Sequence, residues 1–132
     1  MKIEQLFTGC LAEMAYYIES NGEAAVVDPL RETAPYIKMA EADQAKIKYI
    51  FLTHFHADFV SGQYDLARKT GARIIFGPNA TAEYNIYNGA DGEDFFIGDG
   101  KITLLHTPGH TMESSSYLIT DEDGNTPCIL TG

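Results

Sequence analysis

Over its first third the chain alternates apolar and polar positions in short runs. Lys2 to Phe7 and Glu13 to Ser20 are rich in Ile, Phe and Tyr and read as strands. Asn21-Gly22 predicts a hairpin turn, because both residues tolerate positive φ, and Ala24 to Val27 is the returning strand, closed by Asp28-Pro29. Thr33 to Ala45 then changes to helical spacing, with Pro35 in the first turn and Tyr36, Ile37 and Ala40 on one face. Ile47 to Leu52 is nearly unbroken in its apolar character, which predicts a strand buried on both faces. A second helix runs from Phe59 or Val60 to Thr70, places Val60, Tyr64 and Ala67 on one face, and ends at Gly71 as its C′ residue. Arg73 to Phe76 is a strand broken by Gly77-Pro78-Asn79, Asn79 to Tyr84 reads as one helical turn, and Asn88 to Asp94 as a polar loop. Two hairpins complete the pattern. Phe95 to Ile97 and Lys101 to His106 flank Gly98-Asp99-Gly100, and Ser114 to Thr120 and Pro127 to Leu130 flank Asp121-Glu122-Asp123-Gly124. The sum is an α/β (α+β) sandwich, rich in strands, with helices outside.

At 132 residues the chain has the size of one domain. Nine basic residues against 19 acidic ones give a net charge of −10. Nucleic-acid binding depends on Lys and Arg neutralising phosphates, and the longest basic run is Arg68-Lys69, so the sequence argues against a nucleic-acid partner. No stretch approaches the ~18 apolar residues of a membrane span, and no hydrophobic leader follows Met1-Lys2-Ile3-Glu4. Two cysteines, Cys10 and Cys128, do not make a disulfide framework, which points to a reducing compartment and the cytoplasm.

All four histidines fall in two short segments. Thr53-His54-Phe55-His56-Ala57-Asp58-Phe59 follows the buried strand directly. In extended backbone, positions i and i+2 point to the same side, so His54 and His56 can converge on one metal ion. His106-Thr107-Pro108-Gly109-His110-Thr111 also follows a strand, and Pro and Gly supply a tight turn able to aim His110 at the first pair. His54, His56 and His110 are therefore the candidate metal ligands. Asp58 is the candidate catalytic carboxylate, and it reads equally as a metal ligand or as the N-cap of the following helix. His106 shares a strand face with Ile102 and Leu104, which favours packing or an outer hydrogen bond over ligation. Asp28 either bonds a metal-binding histidine or simply starts the turn with Pro29. Nothing near Cys10 provides the base a nucleophile needs, and Cys128 sits in an apolar strand.

Thr53 to Phe59 together with Thr107 to Thr111 resembles the metallo-β-lactamase superfamily. The order of elements is similar too: a strand hairpin, Val27-Asp28-Pro29, a helix, a buried strand, then HxHxD. The closest likeness is to the glyoxalase II-like branch that contains persulfide dioxygenases, some fused to rhodanese domains, through Thr53 to Gly62 and His106 to Ser114. The resemblance covers nearly all of this chain and the N-terminal portion of the family's αββα sandwich. It implies a metal-dependent enzyme. In the persulfide dioxygenases one Fe(II) is held by two His and one Asp. The two His would be His54 and His110, with His56 close by. In the zinc hydrolases of the superfamily, a set such as His54, His56 and His110 holds Zn(II), which lowers the pKa of water to about 7.

Two departures from the family pattern bear on this. HxHxDH is common in the family, and position 59 here is Phe, which cannot ligate a second metal. The family also places a metal-binding Asp directly after a segment resembling Leu130-Thr131-Gly132, where this sequence stops. The expectation is a truncated domain, inactive by itself, whose uncovered apolar surface is met by a homodimer partner or an absent C-terminal segment. Three function classes follow. The first is an iron persulfide dioxygenase acting on glutathione persulfide or another small persulfide. The second is a zinc-dependent hydrolase of thioesters such as S-acylglutathione, and the third a binding module without activity.

Phe59 generates a direct prediction. An Asp without the neighbouring His leaves too few strong ligands for a second ion. Elemental analysis of the full-length protein should find one tightly held metal per chain, and two per chain would show the reading of Phe59 to be mistaken.

Overall fold

The computed structural model describes residues 1–7, 14–53, 62–78, 80, 82, 84–106 and 115–131. His54, His56, Asp58, Phe59, His110 and Cys10 lie outside the described residues, as does the start of the second predicted helix.

Two sheets pack face to face. The first has six strands in the order β1-β2-β3-β4-β5-β6: β1 (Lys2–Phe7), β2 (Met14–Ser20), β3 (Glu23–Val27), β4 (Lys46–Phe51), β5 (Arg73–Phe76) and β6 (Tyr87–Asn88). β1 to β3 form an antiparallel meander, and β3 to β6 are parallel. Parallel neighbours need crossovers, which α1 (Ala34–Ala42) provides between β3 and β4 and α2 (Gly62–Thr70) between β4 and β5. The second sheet is antiparallel, in the order β10-β9-β8-β7, from β7 (Asp94–Ile97), β8 (Gly100–His106), β9 (Ser115–Thr120) and β10 (Cys128–Leu130).

Local chemistry accounts for the boundaries. Asn21 (φ 47°) and Gly22 (φ 87°) both take the left-handed conformation, the geometry of the tight hairpin expected there. The helix predicted to reach Ala45 stops at Ala42 because Gln44 adopts φ 53°. The Ala45 amide then donates back to Ala40 O at 2.8 Å and the Gln44 amide to Glu41 O at 3.1 Å, a Schellman ending with Gln in the usual glycine position. Thr33 does not cap α1 with its side chain; its hydroxyl donates instead to Asp65 on α2, at 3.0 Å. The helical turn expected over Asn79 to Tyr84 is absent from the described residues of that stretch, and the polar loop expected from Asn88 is preceded by the two-residue strand β6. Asn88 belongs to that strand because its side-chain amide is tied to Gly77 O and Ala80 O, which draws it against β5.

Burial on both faces of β4 is realised. Ile47, Ile50 and Leu52 enter the core beneath the helices, with Tyr17, Tyr36 and Leu66. Phe51 enters the core between the sheets, where its ring lies 5.3 Å from Phe95 and 4.9 Å from Tyr117. Cys128 is a free, half-buried thiol packed against this second core, which agrees with a packing role. The outer face of the second sheet carries two exposed apolar side chains, Phe96 and Ile129. No helix among the described residues is long and apolar enough to cross a membrane.

Gly62, the first described residue of α2, is fully packed against the β3–α1 loop, and a Cβ there would run into Leu30 O. Ala is the better helix former by about 1 kcal/mol. Here the clash decides, because the neighbour is backbone. Gly62→Ala should destabilise the protein by about 1–3 kcal/mol, read as a lower melting temperature; an unchanged or raised one would show that the α2 contact gives way freely.

Candidate functional site at the carboxyl ends of the parallel strands

The carboxyl ends of β3, β4, β5 and β6 lie at one end of the first sheet, together with the start of β2 and the end of β1. The end of β8 and the start of β9 join them, because the Ser115 amide donates to Thr53 O at 2.9 Å across the two sheets. Thr53 immediately precedes the segment with His54 and His56, and Ser115 immediately follows the segment with His110. One hydrogen bond thus joins the residue before the first histidine segment to the residue after the second. Ligands of open α/β sheets bind at this end.

The chain around Leu52-Thr53 is held from three elements. Asp28, at the end of β3, sits at φ 50°, sparsely populated for a residue with a side chain. Its amide donates to Phe51 O at 2.8 Å. Its carboxylate accepts the Thr53 amide at 2.9 Å and the Thr53 hydroxyl at 2.5 Å. Leu52 N donates to Ile75 O on β5 at 3.1 Å, and Leu52 O accepts the buried Tyr117 hydroxyl at 2.6 Å. Burial first, then the nearby Asp28 charge, pushes the Tyr117 hydroxyl upward, so it stays protonated and serves as the donor this bond needs. Every backbone polar group of Leu52 and Thr53 has a partner, as a buried chain exit requires. Asp28 does more than open a turn: it fixes the residue beside His54. Thr53, Ser115 and Tyr117 were not singled out in the sequence; the available signal was adjacency of the first two to the histidine segments.

His106 pairs with Ser115 across the β8–β9 ladder, and its amide donates to Asp91 Oδ1 at 2.8 Å. The half-buried ring continues the inward face of Ile102 and Leu104, as expected from the alternation. Two polar atoms are nonetheless buried here without a hydrogen-bond partner, His106 Nδ1 and Ser115 Oγ. Gly77, directly after β5, faces Ser115, and a Cβ there would run into its Oγ. Orphaned polar atoms cost about 1–3 kcal/mol each, so this end of the sandwich suits a polar occupant such as a water. Burial raises the Cys128 thiol above its ordinary value, which makes it a poor nucleophile.

Among the described residues no group of three or more His, Cys, Asp and Glu could hold a metal. The candidate ligands His54, His56 and His110 and the carboxylate Asp58 lie outside them. The donor types themselves, imidazole with carboxylate, suit Zn(II) or Fe(II).

The Asp28 clamp has a measurable consequence. Removing an outer partner of a ligand segment typically lowers metal affinity about 10–100-fold. Asp28→Ala should therefore weaken metal retention by that order, whereas His106→Asn should leave metal content intact. Inductively coupled plasma analysis after graded chelation checks both; metal loss in His106→Asn would make His106 a ligand.

The comparisons with known proteins agree with this architecture. The family profile described as Metallo-beta-lactamase superfamily matches residues 8–126. A cytoplasmic hydroxyacylglutathione hydrolase of Arabidopsis thaliana is 34% identical over 128 residues, 93% of this chain and 49% of the relative. A hydroxyacylglutathione hydrolase of Rhizobium johnstonii is 36% identical over 107 residues, 79% of this chain and 41% of its own. Among solved structures, a metallo-beta-lactamase from Staphylococcus aureus superposes with a TM-score of 0.79 at 34% identity, over 98% of this chain and 41% of that one. ETHE1 from Myxococcus xanthus superposes with a TM-score of 0.78 at 28% identity, over 90% and 54%. The chain spans about half the length of the curated relatives it matches. A profile match over most of its length, together with a relative at this identity, makes the chain a member of the metallo-β-lactamase superfamily.

Proposed function

We propose that this chain carries the metal-binding part of an enzyme acting on glutathione derivatives, and that its reaction is metal-dependent hydrolysis of a glutathione thioester. The observation that carries this reading is the alignment of nearly the whole chain with a hydroxyacylglutathione hydrolase, HxHxD and TPGHT segments included. His54, His56 and His110 would hold one Zn(II) ion. When bound, zinc supplies an acidified water and polarises the thioester carbonyl. The chain's own described residues fix the positions that flank the histidine segments: Asp28 holds Thr53, and Thr53 O accepts the Ser115 amide. Asp58 is the carboxylate available for proton transfer or for ligation. The Arabidopsis relative is named cytoplasmic, and we place this protein in the same compartment.

A second reading rests on Phe59. Loss of the ligand for a second ion favours a one-metal site, the arrangement expected of an iron persulfide dioxygenase that holds Fe(II) through His54, His110 and a carboxylate. Its substrate would be glutathione persulfide or a similar small persulfide: dioxygen and one water would oxidise the outer sulfur to sulfite as the S–S bond breaks and the thiol is released.

One set of assays separates the two. The full-length protein, loaded with zinc or with iron, is given a hydroxyacylglutathione and, separately, glutathione persulfide under air. Thiol release from the thioester, abolished by a chelator, is expected. Persulfide-dependent oxygen uptake without thioester cleavage would replace the first reading with the second, and neither activity would remove both. Metal retention adds a check. His54→Ala and His110→Ala should each lose the ion; His56→Ala should lose it equally on the zinc reading and less on the iron reading.

A further inference from the structure

A groove of about 750 Å³ runs along the free edge of the first sheet, on the flank formed by α2, β5 and β6. Its origin is a strand that is too short. β6 pairs with β5 only at Ile75–Tyr87 and Phe76–Asn88, so the edge of β5 at Arg73 and Ile74 is left uncovered where Asn85 and Ile86 diverge from it. The volume lies within the ~300–1,000 Å³ range of small-molecule sites.

The lining is unusual for this protein. The chain carries a net charge of −10, yet the groove collects two arginines, Arg68 from α2 and Arg73 from β5. Among the described residues neither takes part in an ion pair. Asp65, one turn before Arg68, is engaged by Lys69 at 3.0 Å and by the Thr33 hydroxyl at 3.0 Å. Glu93 accepts the Tyr87 hydroxyl at 2.7 Å. Both guanidinium groups lie over tyrosine rings instead, Arg68 over Tyr64 at 5.8 Å and Arg73 over Tyr87 at 4.7 Å. Tyr64 in turn leans on Tyr84, with 5.0 Å between ring centroids. A stacked guanidinium keeps its N–H edge free and loses little rotamer freedom when it bonds an anion. Arg68 still feels the charge of Asp65, whose carboxyl it helps to hold below the usual carboxylate range after Lys69 and Thr33. Among the described residues neither arginine is closed into a direct ion pair, and two such cations beside tyrosine rings in an acidic protein match a ligand with a flat ring and an anionic group.

We propose that this groove is a binding site for a small planar organic anion, with Arg68 and Arg73 taking its phosphate or carboxylate and Tyr64, Tyr84 and Tyr87 forming its aromatic walls. The site is separate from the strand-end site: its arginines stand on either side of the α2–β5 turn, at the amino-terminal end of β5. A phosphate ester and an aromatic carboxylate share this chemistry, and the probes distinguish them.

The test is calorimetric titration of the full-length protein with adenosine monophosphate and with 4-hydroxybenzoate, alongside adenosine and inorganic phosphate as the separate halves of the first probe. Saturable binding of one intact probe, tighter than either half, is expected. Hydrogen bonds to a charged group are worth enough that Arg68→Gln or Arg73→Gln should weaken it about tenfold or more. Lys38→Gln makes the same charge change at an exposed position of α1 outside the groove and should leave binding unchanged. Binding of adenosine monophosphate assigns a phosphate ligand, and binding of the benzoate alone assigns a carboxylate. No saturable binding of either, equal weakening by Lys38→Gln, or loss of binding on metal chelation would each overturn the proposal. Because the readout is binding and persists without metal, its failure is distinguishable from failure of the proposed reaction.

Discussion

The carboxylate of Asp28 holding Thr53 is the constraint on which the candidate site depends. The two hydrogen bonds secure the residue that carries the chain out of β4, and the positive φ of Asp28 aims the carboxylate there. A residue with a side chain holds such a backbone conformation only where its surroundings over-determine it. Here they do: the Asp28 amide is bonded to Phe51 O, and the Leu52–Thr53 unit is bonded to β5, β9 and Asp28. The strain is local and the restraint is shared among both sheets.

The architecture concentrates these restraints at one end. Parallel strands joined by helices put successive carboxyl ends side by side, and β4, between β3 and β5, has a partner on each edge. Apolar packing on both faces of β4 holds it in register. Ile50 and Leu52 are gripped beneath the helices, and Phe51 by Phe95 and Tyr117 between the sheets. The two histidine segments are far apart in sequence, and the hydrogen bond from Ser115 to Thr53 joins the residue before the first to the residue after the second. The free edge of the same sheet is treated differently. There β6 is two residues long, and the uncovered part of β5 becomes one wall of a groove instead of another ladder.

Much of the fold was legible because its signals are local. Asn21-Gly22, Gly98-Asp99-Gly100 and the acidic turn ending at Gly124 mark hairpins through backbone conformations that few residues adopt, and the structure places turns at all three. The unbroken apolar run of β4 announced burial on both faces. Errors fell where residue type did not reveal the backbone conformation or the side-chain partner. Helix α1 ended early because Gln44 took a left-handed conformation that its residue type does not advertise. β6 formed from a polar stretch because the Asn88 amide bonds two carbonyls on the neighbouring segment.

The sequence by itself determined the candidate chemistry: imidazoles at alternate positions, a carboxylate two residues on, and a phenylalanine at position 59, where the resembled family commonly has a further histidine. It did so because ligand type and spacing are properties of neighbouring residues. Only the tertiary structure decided what surrounds that chemistry. Asp28 is 25 residues from Thr53, and Tyr117 is 65 residues from Leu52. No local pattern encodes a hydrogen bond over such separations: the first exists only once β3 and β4 have paired, and the second only once the two sheets have closed on a common core. The groove of Arg68 and Arg73 is of the same kind. In the sequence they are two cations five residues apart; the α2–β5 turn sets them on one flank, and the short edge strand leaves that flank open.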